Sequence, residues 1–235
     1  MNGRSRWIFL TLSLATAGAC VSLGLWQLRR LAARRSANAV AAQMRSAAPL
    51  TLSDAIDPAA DARVVGTGAF DLDHQFVLRG RAYEGTPGVM IATPFRVTGA
   101  ARAFLVVRGF VPSDDAIAVD LAPLAEPGPR TIRGIAFEIP SAPDSGAPLV
   151  RNGATTWARL DRSALGRLPY PVAGVAVWQE RDSGAAGLPI RLGAPALTKG
   201  PHFSYAIQWF AFALIFGGGG IVYTYRKREE RTRIT

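Results

Sequence analysis

WIFLTLSLATAGACVSLGLWQL, residues 7–28, and FSYAIQWFAFALIFGGGGIVYTY, residues 203–225, decide the fold. The first is 22 residues without a charged side chain, the second 23. At ~1.5 Å rise per residue each makes a helix about 33 Å long, enough to cross a hydrocarbon core of ~30 Å. Arginine clusters and interfacial aromatics bracket both: Trp7 and Trp26 on the first, Tyr205, Trp209, Tyr223 and Tyr225 on the second. That bracketing favours two transmembrane helices over buried helices of a soluble core. The chain then divides into a tail (1–6), a span (7–28), a stalk and connector (29–62), an outer-face β-rich domain (63–201), a second span (202–225) and a basic tail (226–235).

The net charge of +10 suggests nucleic acid until it is located. Residues 36–201 hold 16 Lys/Arg against 15 Asp/Glu, whereas the flanks hold 11 basic and 2 acidic residues. Cations packed against apolar spans hold helix ends at anionic headgroups, while a nucleic-acid reader places them on a face of the folded domain. Nucleic acid is therefore excluded as a partner and the lipid bilayer is expected. The single cysteine, Cys20, lies inside the first span, so the domain has no disulfide and no thiolate chemistry. Ala17-Gly18-Ala19-Cys20 resembles a lipoprotein cleavage site, but the apolar run continues to Trp26, which favours an uncleaved anchor. A long loop crosses largely regardless of charge, and short dense cationic tails stay inside. The expectation is a multi-pass protein of the cell membrane with both termini cytoplasmic.

From residue 29 the first helix continues out of the apolar stretch with good helix formers until Pro49 stops it. Residues 53–57 are at most a short helix. Beyond Arg63 short β-rich runs are cut by Gly and Pro. They predict strands at 64–70, 75–83, 89–97, 104–111, 130–139 and 172–180. Turns are expected at 71–73, 85–88, 98–100 and 127–129, loops at 141–146 and 182–187, and a helix at 156–165. Leu105-Val106-Val107 is apolar without alternation, so that strand should be central and covered on both faces. A mainly antiparallel sheet or small open barrel, a β-rich α+β domain, follows.

Little in the domain suggests catalysis. Its one interior histidine, His74, follows Asp71 and Asp73 in a turn that reads as solvated; no Gly-x-Ser-x-Gly, phosphate loop or dinucleotide fingerprint occurs. An outer-face hydrolase using these residues is the weakest of the alternatives. The start of the second span says more. His202 should sit at headgroup level, with Tyr205 and Trp209 three and seven residues on, near the same helix face. Gln208 is an amide within the span, where an unpaired polar group is costly and turns toward protein or ligand. On the residues alone, His202 reads as a helix-start interfacial residue and Trp209 as part of an aromatic belt. Gly217-Gly218-Gly219-Gly220 and the small residues Ala15, Ala17, Gly18 and Ala19 permit close helix approach; local weakening of the helix is the other reading.

Four stretches resemble the Surfeit locus protein 1 group of cytochrome c oxidase assembly factors. Gly24-Leu25-Trp26-Gln27-Leu28-Arg29-Arg30 is similar to its Gly-x-Trp-Gln-x-x-Arg, and residues 85–95 to its Gly-x-x-Gly stretch leading to Thr-Pro. Leu105-Val106-Val107-Arg108-Gly109-Phe110-Val111-Pro112 is similar to its Leu-Val-x-Arg-Gly-(Trp/Phe)-Val-Pro. Residues 202–210 are similar to its His-x-x-Tyr-Ala-x-Gln-Trp-Phe; the Asn usual before the histidine is replaced here by Lys199-Gly200-Pro201. The resemblance implies a non-enzymatic chaperone that helps build haem–copper terminal oxidase in respiratory chain biogenesis. Its implied partners are the oxidase catalytic subunit and haem a synthase, and its implied cargo is haem a, held transiently. It implies His202 as an axial ligand of the haem iron, Tyr205 and Trp209 flanking the porphyrin and Gln208 nearby. Arg108 could then meet the propionates or the oxidase, or simply pair a carboxylate. A haem-independent scaffold for the same subunit is the alternative.

Overall fold

The computed structural model describes residues 3–141, 148–151, 154–160, 162–181 and 187–232. In chain order its elements are α1 (Gly3–Ser46), β1 (Leu50–Thr51), β2 (Arg63–Phe70), β3 (Phe76–Tyr83), β4 (Thr86–Val97), β5 (Ala103–Pro112), β6 (Arg130–Glu138), β7 (Leu149–Arg151), β8 (Ala154–Trp157), α2 (Arg162–Leu165), β9 (Val172–Gln179) and α3 (His202–Thr232). They form two compact units: a helical one, Met1–Val40 with Leu197–Thr235, and a β-rich one, Ala41–Ala196.

In the β-rich unit the sheet runs β1-β2-β6-β9-β5-β4-β3-β8-β7, and an added β2–β4 pairing closes β2, β4, β5, β9 and β6 into a five-stranded ring. This is a Greek-key barrel of the kind found in OB folds. The open barrel expected from the sequence is thus closed. Six of its pairings are antiparallel; β1–β2, β3–β8 and β5–β9 are parallel. A parallel pair needs a long crossover rather than a hairpin, and β5 reaches β9 only after β6 and the segment carrying β7, β8 and α2.

β5 is central, as its continuous apolar run predicts, because β4 and β9 flank it and alternate side chains enter two different cores. Phe104 and Val106 point into the barrel with Val64, Phe95, Ile132 and Val177. Leu105 and Val107 point outward to a second core with Phe76, Met90, Trp157 and Leu165. Each such fully buried apolar side chain contributes roughly 1.5–3 kcal/mol.

Two local expectations are corrected. The helix expected over 156–165 is instead β8 followed by the four-residue α2. Thr156 and Trp157, β-branched and aromatic, favour the extended chain, and they pair with Val77 and Leu78 of β3. The turn expected at 85–88 falls earlier, at Glu84-Gly85, while Thr86, Pro87 and Gly88 already belong to β4. Both turn residues have positive φ, 50° and 80°, as a two-residue hairpin loop requires. Residues 53–57 form a turn with a Ser53–Ile56 bridge rather than a helix. Of the loops expected at 141–146 and 182–187, residues 142–146 and 182–186 lie outside the described residues.

Candidate functional site

The helical unit is built on a seam of small residues. On α1, Ser13, Ala17, Cys20, Gly24, Gln27 and Leu31 turn inward; on α3, His202, Ala206, Phe210, Ala213, Gly217, Gly220 and Thr224 do so. Both series advance in steps of three and four, the spacing of a coiled-coil seam. A Cβ placed on Gly24 would lie 2.6 Å from Cε1 of Phe210, one on Gly220 2.5 Å from Cβ of Ser13, and one on Gly217 3.4 Å from Cβ of Ala17. Close backbone approach through small residues is how helices associate where lipid removes the hydrophobic drive. Gly217 and Gly220 of the tetraglycine thus serve contact with α1, while Gly218 and Gly219 face open space. Phe9 and Tyr223 extend the pair, with ring centroids 5.0 Å apart.

His202 occupies the end of this seam. Its Nδ1 lies 2.9 Å from Oε1 of Gln27. A carboxamide oxygen only accepts, so the shared proton belongs to Nδ1, and in the neutral imidazole the lone pair lies on Nε2. The chain leading into α3 is tied to α1 as well: Asn38 Nδ2 and Arg34 Nε donate to the Thr198 carbonyl at 3.0 and 3.3 Å. Gly200 turns with φ 69°, and a Cβ there would sit 3.4 Å from Cδ2 and 3.5 Å from Nε2 of His202. Glycine thus leaves the lone-pair edge of the imidazole uncrowded.

The other candidates of this helix are distributed around it. Tyr205 is exposed, Trp209 is half-buried at the seam's edge with its ring 6.0 Å from Phe212, and Gln208 is exposed on the outer face of the pair. Gln208, the amide within the span, therefore does not face α1. In both apolar helices most large side chains face outward, Leu214 at 76 % and Leu12 at 62 % exposure among them. Helices of this length and composition can cross a membrane, and the core helix of a soluble protein would bury those side chains instead.

Arg108 belongs to the β-rich unit and is fully buried. β5 carries a bulge there: Val107 pairs with Ala92 and Gly109 with Ile91, so Arg108 is the extra residue, re-aimed by the irregularity. Its Nη1 donates to Gln75 Oε1 at 2.8 Å and its Nη2 to Glu126 Oε1 at 2.7 Å and to the Leu124 carbonyl. Arg191 and Arg130 also bond Glu126, and Phe70 lies under both Arg108 and Arg130. Burial alone would push the Glu126 carboxyl up, but hydrogen bonds from Arg108 and Arg191 hold it below its ordinary value. Burial likewise draws Arg108 below the usual guanidinium value, against the support of Glu126. The carboxylate-pairing reading of Arg108 is the one this geometry realises, and its buried guanidinium offers no outward face to a propionate.

The SURF1 family profile matches residues 14–214, from within α1 to within α3. The chain belongs to the SURF1 family. SURF1-like proteins of Mycobacterium bovis and of two Mycobacterium tuberculosis strains are each 28 % identical to it over 173 residues, 73 % of this chain. The match spans 62 % of those relatives' own length. Two of the SURF1-like motifs, at residues 24–30 and 202–210, meet in the Gln27–His202 pair. The third explains itself through β5: Gly109 adopts φ 151°, and a Cβ there would lie 2.3 Å from the Ile190 carbonyl oxygen. Phe110 and Ile190 exchange backbone hydrogen bonds of 2.9 and 2.7 Å across this approach, which delivers Arg191 to Glu126.

Asp71, Asp73 and His74 form a capped turn. Asp71 Oδ2 accepts from Tyr170 Oη and lies 2.8 Å from His74 Nδ1, and its Oδ1 accepts from the Asp73 amide. Burial raises the Asp71 carboxyl, but these hydrogen bonds outweigh it and hold it below its ordinary value. Among the described residues no three His, Cys, Asp or Glu side chains gather as a metal site. Sequence reading missed Glu126, Arg191, Gln75 and the partnership of Gln27. Glu126 lies in a Pro-rich loop and Arg191 in irregular chain, with no motif to mark either; Gln27 was visible inside its motif but not its partner.

Proposed function

We propose that this SURF1 protein is a membrane-anchored, non-catalytic assembly factor for haem–copper terminal oxidase that presents haem a to the catalytic subunit. The observation that carries this reading is the 2.9 Å contact of His202 Nδ1 with Gln27 Oε1. It joins motifs from opposite ends of the chain and orients the imidazole so that its neutral form presents the Nε2 lone pair. Metal-binding histidines are held this way, by a hydrogen bond at the other ring nitrogen that fixes tautomer and orientation. Haem a is cargo here, and the residues fit it: Nε2 carries the lone pair when the imidazole is neutral, Gly200 leaves its edge open, and Tyr205 and Trp209 offer aromatic surface on the same helix. Gln27 holds the ring and its proton; Pro201 and the Thr198 carbonyl, tied to Asn38, fix where α3 begins.

Both apolar helices span the cell membrane in this reading, with the termini cytoplasmic and the β-rich unit on the outer face. Haem a synthase would supply the cargo and the oxidase catalytic subunit would receive it. A haem-independent scaffold for the same subunit is favoured by one feature, the exposed Gln208 amide on the outer side of α3, since a polar group at that depth calls for a protein partner.

Full-length protein purified from cells that make haem a should carry a haem absorption spectrum. His202→Ala should abolish it, and Gln27→Leu should weaken haem affinity by about tenfold or more, as loss of an outer-shell partner does. A colourless wild-type protein that still captures the oxidase subunit would establish the scaffold instead.

A further inference from the structure

The β-rich unit holds a cavity independent of the His202 site. It has a volume of about 410 Å³ and opens to solvent on the outside of the barrel wall, where Met90, Leu105, Val107, Ile139 and Trp178 line it. Arg81 of β3 and Arg159, just after β8, border it. Arg81 is held in place by a 2.7 Å hydrogen bond from Nη2 to the Ala158 carbonyl. The lining is otherwise almost wholly apolar.

We propose that this cavity binds one long-chain carboxylate, its alkyl chain among the apolar side chains and its head between Arg81 and Arg159. Three arguments lead there. An apolar hollow gives water too few partners to be well filled, and a lining that faces a void loses its dispersion contacts. The volume lies within the range of small-molecule sites. At ~30 Å³ per water-sized group it holds about 13 such groups, one alkyl chain rather than the two of a phospholipid. The guanidinium fork matches a carboxylate in shape and charge. β4, β5, β6 and β9 set the walls, so the chain would lie along a preformed surface of the barrel.

The test uses the full-length protein in lipid nanodiscs, titrated with 11-(dansylamino)undecanoic acid, with empty nanodiscs subtracting partition into lipid. Saturable binding near one probe per chain, displaced by myristate and far less by 1-tetradecanol, is expected. Arg81→Glu combined with Arg159→Glu should weaken the probe by about tenfold or more, the loss of a charge-assisted contact. Competition by the alcohol equal to that by the acid would overturn the proposal without requiring any variant to fold. So would an unchanged affinity in the double variant, no saturable signal above empty nanodiscs, or a co-purifying two-chain phospholipid in the cavity.

Discussion

The two units of the molecule bury opposite kinds of side chain. The barrel hides its large residues: Phe95, Phe104, Phe110 and Ile91 are at most 1 % exposed. The helix pair hides glycine and alanine and turns Leu214, Ile215 and Trp7 outward, at 76, 63 and 60 % exposure. In water, apolar area drives a domain together. Between helices in lipid that drive is missing, and what remains is close packing of backbones and a few polar contacts. The polar groups follow the same division. The barrel holds charged groups in a network, Arg108, Arg191 and Arg130 on Glu126, whereas the helix seam carries an amide–imidazole pair, Gln27 and His202.

The largest expected effect lies in the barrel. Glu126→Gln removes the carboxylate facing Arg108 and Arg191 and should lower the unfolding free energy by about 3 kcal/mol. That is the lower end for a broken buried pair, because the Glu126 side chain is itself 19 % exposed. The wild type should also lose stability in acid. The Glu126 carboxyl is held below its ordinary 4.5, so its contribution is complete above about that pH and falls away as the pH drops through the lowered value. Denaturation at several pH values reads both effects, and a flat acid limb in wild type would break the contrast between the charged network and the amide–imidazole pair.

A middle-sized effect probes the seam. With Cys20 replaced by Ser, Ala17→Cys with Gly217→Cys places two Cβ atoms about 3.4 Å apart, near the disulfide range. Mild oxidation should cross-link them, and adding Gly24→Leu, which drives a side chain into Phe210, should slow the cross-link about tenfold or more. Equal cross-linking rates with and without Gly24→Leu would show that close backbone approach does not hold the pair.

The smallest effect is at the Asp71 turn. Asp71→Asn weakens partly exposed contacts and should change stability by about 1 kcal/mol or less. It should also bring the Tyr170 hydroxyl part of the way back toward ordinary titration, since burial first and Asp71 second push that group up. Ultraviolet titration of Tyr170 separates the two causes.

Elements that declare themselves through local chemistry were legible from the sequence. The strands at 104–111 and 130–139 stood out because apolar runs end at Gly and Pro, and both apolar helices because no charge interrupts them. β8 was misread because Thr156-Trp157 is followed by good helix formers, and only its pairing with β3 keeps it extended. β1 and β7 are two and three residues long, below the reach of any periodicity. Of the site, the residue types were visible but not their partners. Gln27 and His202 are 175 positions apart, and Arg108 and Arg191 83, so their meeting is a product of topology. Gln208 was legible as an amide within the span, while its facing away from α1 depends on helical phase, which leaves most of the circumference of a two-helix pair outward.

β1 and β7, the outermost strands of the described sheet, are two and three residues long, so these two ends offer little ladder for another chain to extend. A segment adding a strand at either end would gain few main-chain bonds. Any recognition through these two ends would rest on side-chain shape and charge more than on strand addition.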